Sequence, residues 1–373
     1  MDQMAFNWLV LELTGSPVYL GLVNLCRAIP ILLFTLVGGV VADRFERRKL
    51  MMMTQSFAML LAFLLAALTS SGLISIWQIL VIATLRGVMM SLNLPVRQTI
   101  ISDLVPRDDL ANAIALNSMT VNLTRIIGPS IGGLLIALIG VAGCFYINAL
   151  SFLAVIWTLY RMDIPPKEYK SADASIRQGL IEGFKYIQSQ PTISLLIAIA
   201  VVPMFFGQPY MTMLTVFARD VLAIGPTGLG ILTSASAIGA VVGALTLASL
   251  RSSAPRGAIM LLAMITFGLL LIVFSYSSWA PLSVVLLIGV GAMNISYNAS
   301  NNTLLQMNVP DEFRGRVLST LFLNRGMVPL GTTVVGMLAT LVGIQLALAS
   351  MAAVIVLLAV LTMAMAPSLR KLR

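Results

Sequence analysis

Apolar stretches follow one another along almost the whole chain, separated by short polar breaks. A helix needs about 20 residues to cross the hydrocarbon of a bilayer. Runs of that order fall at 17–42, 50–70, 74–96, 110–138, 142–161, 191–218, 227–250, 257–278, 280–303, 317–342 and 344–366, with a shorter one at 1–13. The long runs exceed the length of barrel strands and lack their alternation, so the pattern predicts twelve spanning helices in an all-α integral membrane protein. As a helix the first run would cover only about 20 Å of the ~30 Å hydrocarbon core. It would also place Asp2 near mid-membrane, where a charge is costly, so this first span reads as truncated.

Composition agrees. With 59% hydrophobic and 10% charged residues and a mean hydropathy of +0.98, a soluble globular domain is excluded. The few charges are concentrated. Six of the seven residues Asp43–Lys49 are charged, four of them basic, so this run marks a tight turn outside the hydrocarbon. The net charge of +9 does not signal nucleic acid, because 18 of the 23 Lys and Arg lie in loops after even-numbered spans or in the tail. That bias places those loops and the C-terminus in the cytoplasm, and the protein in the cytoplasmic (inner) membrane.

The chain repeats itself. Leu20-Gly21-Leu22-Val23 and Ala28-Ile29 match Leu229-Gly230-Ile231-Leu232 and Ala237-Ile238 at an offset of 209, and 105–110 resembles 309–314 at 204. Two six-span halves of parallel orientation follow, 1–162 and 191–373. Between them, 163–190 is polar, with Ile176, Leu180, Ile181, Phe184 and Ile187 at helical spacing. It reads as a cytoplasmic linker ending in an amphipathic surface helix, too short to carry a core of its own.

Chemistry-bearing residues are sparse. The chain has no histidine, and Cys26 and Cys144 fall within spans without metal-ligand spacing, so neither metal nor cofactor is expected. Without histidine or clustered carboxylates an embedded enzyme is improbable, and no phosphate-binding loop supports ATP-driven transport. Arg27, Arg86, Arg125 and Arg325 lie inside spans and need partners or a cavity, yet the candidate acids there are only Asp2 and Glu12. Asn294, Tyr297, Asn298 and Asn301 form one polar stripe on the tenth span, and Gln208 and Tyr210 flank Pro209 at a break in the seventh. These are cavity candidates, with amide contacts between packed helices as the other reading. Gly239-x-x-x-Gly243 suits close packing, within the bundle or against a second protomer.

Twelve spans, six-plus-six symmetry, the middle linker and Gly39-x-x-x-Asp43-Arg44-x-x-Arg47-Arg48 together resemble the major facilitator superfamily over the whole chain. Glu46 stands where that superfamily's loop signature usually has glycine. Arg125-x-x-Gly128-Pro129-x-x-Gly132-Gly133 is similar to the antiporter motif of its exporters, with Thr124 in place of a glycine, and Arg86 matches only the arginine of a fourth-span motif. Pro129 removes a backbone donor and would bend its helix into a hinge or seal.

The resemblance implies a fold of two six-helix bundles and alternating-access export of a small organic compound in exchange for protons. Asp43 would latch against the start of the eleventh helix near Arg316, and Asp2 is the favoured proton-binding carboxylate. Uncoupled diffusion or uptake is the alternative, and Asp2 at an interface would have no special role. The expected partners are a small-molecule substrate, protons and the bilayer, with no nucleic acid, for a monomeric chain.

Overall fold

The computed structural model describes residues 1–44, 46–106, 109–162, 185–250, 254–310, 313, 317, 324, 326–370 and 372. Helices occupy the apolar segments in order: α1 Asp2–Thr14, α2 Pro17–Arg44, α3 Arg47–Ser70, α4 Ile76–Leu104 and α5 Leu110–Arg161, then α6 Pro191–Val202, α7 Tyr210–Val216, α8 Gly225–Ala248, α9 Arg256–Tyr276, α10 Ala280–Asn308, α11 Met327–Val342, α12 Ile344–Met365 and the short α13 Pro367–Arg370. Among the described residues there is no strand, and nine segments are long and apolar enough to cross a membrane. One of these, Asn112–Arg161, holds two of the predicted spans.

The element ends have local causes. Gly15 takes a left-handed φ of 62° and donates its N–H to the Leu11 carbonyl, which closes α1. Ser75 and Gln78 form a reciprocal capping box that starts α4. Within α5 the helical path fails at Gly140 (φ 73°, ψ 175°), a conformation open to glycine, and the two arms on either side are the fifth and sixth predicted spans. Pro129 lies inside the first arm of this helix. The predicted seventh span is broken as expected near Gln208, with π-helical turns at Pro203–Gly207 and Phe217–Val221 flanking α7.

The chain divides into two compact units: Met1–Ala172 with Gly225–Gly230, and Asp173–Ile224 with Ile231–Arg373. The first turn of α8 thus groups with the first unit. In each, small residues let backbones touch. In the first unit a Cβ on Gly87 (α4) would collide with the Arg27 carbonyl of α2. In the second, Gly239 and Gly243 of α8 abut Ile288 and Ala292 of α10, so this glycine pair packs within its own bundle. Many exposed side chains are large and apolar, among them Trp77, Leu138, Leu245 and Leu341. A lipid-facing surface has this character. Residues 185–189 are helical, but the rest of the predicted linker helix lies outside the described residues.

Candidate functional site

The first unit brings three of its intramembrane charges, Asp2, Arg27 and Arg86, to one place. α1 supplies Asp2 and Gln3, α2 Asn24 and Arg27, α4 Arg86, and the second arm of α5 Asn148. Arg86 grips Asp2 with both terminal nitrogens, Nη1 to Oδ2 at 3.0 Å and Nη2 to Oδ1 at 2.9 Å. Such a fork-to-fork pair fixes orientation as well as charge. Asn148 Nδ2 donates to Asp2 Oδ1 at 3.0 Å, so one carboxylate ties α1 to both α4 and α5. The pair is mostly shielded, with the Arg86 side chain 15% and the Asp2 side chain 29% exposed. The guanidinium also lies over the Phe6 ring, 5.3 Å from its centroid, where the ring face attracts a cation.

Arg27 joins this cluster through the next residue of α1: it donates to the Gln3 side-chain oxygen. Gln3 Nε2 in turn donates to Asn7 Oδ1 at 3.0 Å and Asn24 Oδ1 at 3.5 Å. The close backbone approach at Gly87 brings the Arg27 and Arg86 stretches of α2 and α4 side by side. Two arginines, one carboxylate and a set of neutral amides therefore share one polar centre. Of the two acids available in the spans, Asp2 takes the arginine; Glu12 is exposed, with no ion pair among the described residues.

The other predicted site residues are placed as follows. Arg125 is exposed on α5, away from the Asp2 cluster's hydrogen bonds. Gly132 abuts Met1, while Gly133 faces the Pro226 carbonyl and Gly230 meets the Pro129 carbonyl, so the Gly128–Gly133 stretch is a tight helix-to-helix seam within the first unit. Gly39, Asp43 and Arg44 lie on the last turns of α2 and Arg47 opens α3; their side chains, and Arg316 and Arg325, lie outside the described residues. At that turn Lys49 pairs with Glu46 at 2.7 Å. Arg48 donates to the Tyr160 carbonyl and lies over its ring, tying the start of α3 to the end of α5.

In the second unit the described candidate residues around Gln208 and along α10 are neutral. Gln208 Nε2 donates to Asn294 Oδ1 at 3.2 Å, and Asn298 Nδ2 donates to the same oxygen at 3.2 Å. Tyr210 is buried, its hydroxyl 2.5 Å from Ser236 Oγ on α8, and Tyr297 is buried beside Phe267. Asn294 Nδ2, the Tyr297 hydroxyl, Ser300 Oγ, Asn301 Oδ1 and Asn324 Nδ2 are buried without a hydrogen-bond partner among the described residues.

Sequence reasoning did not name Gln3, Asn24 or Asn148. Each is a polar side chain inside an apolar helix, the same signal that singled out Asn294, so the cost of burying an amide would have found them.

The fold and site define a helical, multi-pass membrane protein with a shielded ion pair at a polar centre, and the comparisons identify the kind. The sequence matches the family described as transmembrane secretion effector over residues 1–372, and the chain belongs to that family of the major facilitator superfamily. It is 29% identical over 350 residues to the staphyloferrin A transporter of Staphylococcus aureus, covering 92% of this chain and 86% of that protein. It is 28% identical over 380 residues to the multidrug efflux pump Tap of Mycolicibacterium fortuitum, covering 99% and 92%. The solved structure of the nucleoside transporter NupG superimposes with a TM-score of 0.77 at 17% identity, over 98% of this chain and 96% of that one; this likeness supports the fold alone. The protein is thus a multi-pass membrane transporter of small molecules and not an enzyme.

Proposed function

We propose that the chain exports a small organic compound, drug-like or a siderophore, in exchange for protons, by alternating access of two six-helix halves bounded at 1–162 and 191–373. The kinship to proteins named as a staphyloferrin A transporter and a multidrug pump supports export of such cargo. The observation that carries the coupling is the Asp2–Arg86 pair with Asn148 on the same carboxylate. A proton on Asp2 cancels the attraction that holds α1 to α4 and frees Arg86. Loss of that proton restores the grip. A carboxylate whose protonation switches contacts among three helices can link proton movement to a change of state.

In this reading the protein works as a monomer in the cytoplasmic membrane, with its C-terminus and the Asp43–Lys49 turn inside the cell. Asp43 latches the halves on that side, and the Gly128–Gly133 seam seals a gate. The neutral groups Gln208, Asn294 and Asn298 face the cargo from the second unit. The test is proton flux in inverted membrane vesicles. Dyes, macrolides and catechol compounds are added while the pH gradient is followed. Collapse of the gradient on adding a cargo is the expected result. A cargo that crosses with the gradient unmoved overturns the coupling and makes the protein an uncoupled facilitator.

A further inference from the structure

Where α3 starts and α5 ends, the first unit carries two arginines that no acid balances. Arg48 donates to the Tyr160 carbonyl and lies over the Tyr160 ring, 5.6 Å from its centroid. Arg161, the next residue along, lies over the Trp157 ring one turn earlier, at 5.3 Å. Neither guanidinium has an ion pair among the described residues, whereas Lys49 beside Arg48 is matched to Glu46 at 2.7 Å. A guanidinium holds five N–H donors in a rigid fork. The Tyr160 carbonyl accepts from one of them and a ring face has no acceptor oxygen, so most donors on both residues stay open to an oxyanion.

The setting is the edge of the hydrocarbon. From Val141 to Arg161 the second arm of α5 rises about 30 Å, the thickness of a bilayer's apolar core. Its last turn holds Trp157 and Tyr160, rings of the kind that settle between hydrocarbon and headgroups. Leu150, Leu153, Trp157 and Tyr160 recur at helical spacing on one side of this arm, and all four are exposed. An exposed apolar strip thus runs along one face of the helix and ends at two cations without a counter-ion, a profile that matches a lipid with an anionic head.

We propose that this corner is a binding site for an anionic phospholipid, its phosphate between Arg48 and Arg161 and an acyl chain along Leu150 and Leu153. Neither the cargo nor its coupling to protons enters. Phosphate oxygens accept charge-assisted hydrogen bonds from guanidinium forks. A zwitterionic headgroup brings its own cation, which the two arginines repel, so a lipid of net negative charge is favoured. The Tyr160 carbonyl and the two rings hold the guanidinium groups in place beforehand, so little freedom is lost on binding.

The test uses the full chain in nanodiscs of phosphatidylcholine with a minor share of phosphatidylglycerol, with brominated acyl chains on one lipid or the other. Quenching that is lost in Trp157→Phe, taken in each background, is the signal from Trp157. It should show phosphatidylglycerol enriched at this site over its bulk share. Arg161→Gln should lower that preference about fivefold, the contribution of one basic residue at an anionic surface. Arg48→Gln should lower it too. Lys49→Gln should not, because Lys49 already has Glu46, and inorganic phosphate should not displace the lipid. Arg161 and Lys49 are exposed, so their variants leave packing intact. A bulk ratio at Trp157, an unchanged preference in Arg161→Gln, an equal loss in Lys49→Gln, or displacement by inorganic phosphate would each overturn the site.

Discussion

The two units handle buried polarity in different ways. In the first, an ion pair and a chain of amides partner one another: Asp2 with Arg86 and Asn148, Arg27 with Gln3, Gln3 with Asn7 and Asn24. In the second, the helices from Ile231 to Asn308 carry no charge beyond Arg251 and Arg256 at their connection, and their buried polar groups are amides and hydroxyls. The five buried polar atoms without a partner among the described residues all belong to this second unit. A satisfied charged network fixes the helices that contribute to it. Neutral groups buried without a partner carry a desolvation cost that the first unit's paired groups avoid.

Removing one member from each side breaks or sharpens this contrast. Arg86→Gln leaves the Asp2 carboxylate without its cation and should cost about 3–5 kcal/mol, read as a large loss of thermal stability in detergent. Asp2→Asn together with Arg86→Gln should recover much of that loss, since no unpaired charge then remains. Asn148→Leu removes a single hydrogen bond to the carboxylate and should cost about 1.5–3 kcal/mol by the same measurement. Gly133→Val pushes a branched side chain into the Pro226 carbonyl and should cost about 1–3 kcal/mol, with a matching loss of transport. The smallest effect has the opposite sign. Ser300 is fully buried with its hydroxyl unpartnered, so Ser300→Ala should leave stability unchanged or raise it by up to about 1 kcal/mol. A clear fall on that substitution would mean that the second unit's polar groups are as well satisfied as the first's, and the contrast would fail.

Much of the fold was legible because hydropathy reports directly which segments lie in hydrocarbon. The same signal misplaces helix ends. α4 continues to Leu104 and α10 to Asn308, past the expected ends at 96 and 303, because a helix can go on in water after its apolar stretch stops. The break between the fifth and sixth predicted spans falls at Gly140, inside the gap expected at 139–141. A proline such as Pro129 forfeits one backbone bond, which a packed spanning helix tolerates, whereas the left-handed turn between the two arms of α5 needs the glycine at 140. At the site, four arginines within spans announced a need for partners or a cavity, with Asp2 and Glu12 as the candidate acids. That Asp2 takes Arg86, on α4, depends on which helix faces meet. The close approach of α2 and α4 at Gly87 and the inward placement of Asn148 are properties of packing, which one chain's periodicity does not encode.

The account rests on Asp2 as the residue that converts a proton gradient into net movement of cargo. The direct test loads vesicles with a transported dye and measures, for the native chain and for Asp2→Asn, both downhill equilibration and accumulation against a gradient. Asp2→Asn should still equilibrate the dye downhill while losing accumulation driven by the pH gradient. Gradient-driven accumulation at the native level in Asp2→Asn would contradict the account and place proton coupling elsewhere in the chain.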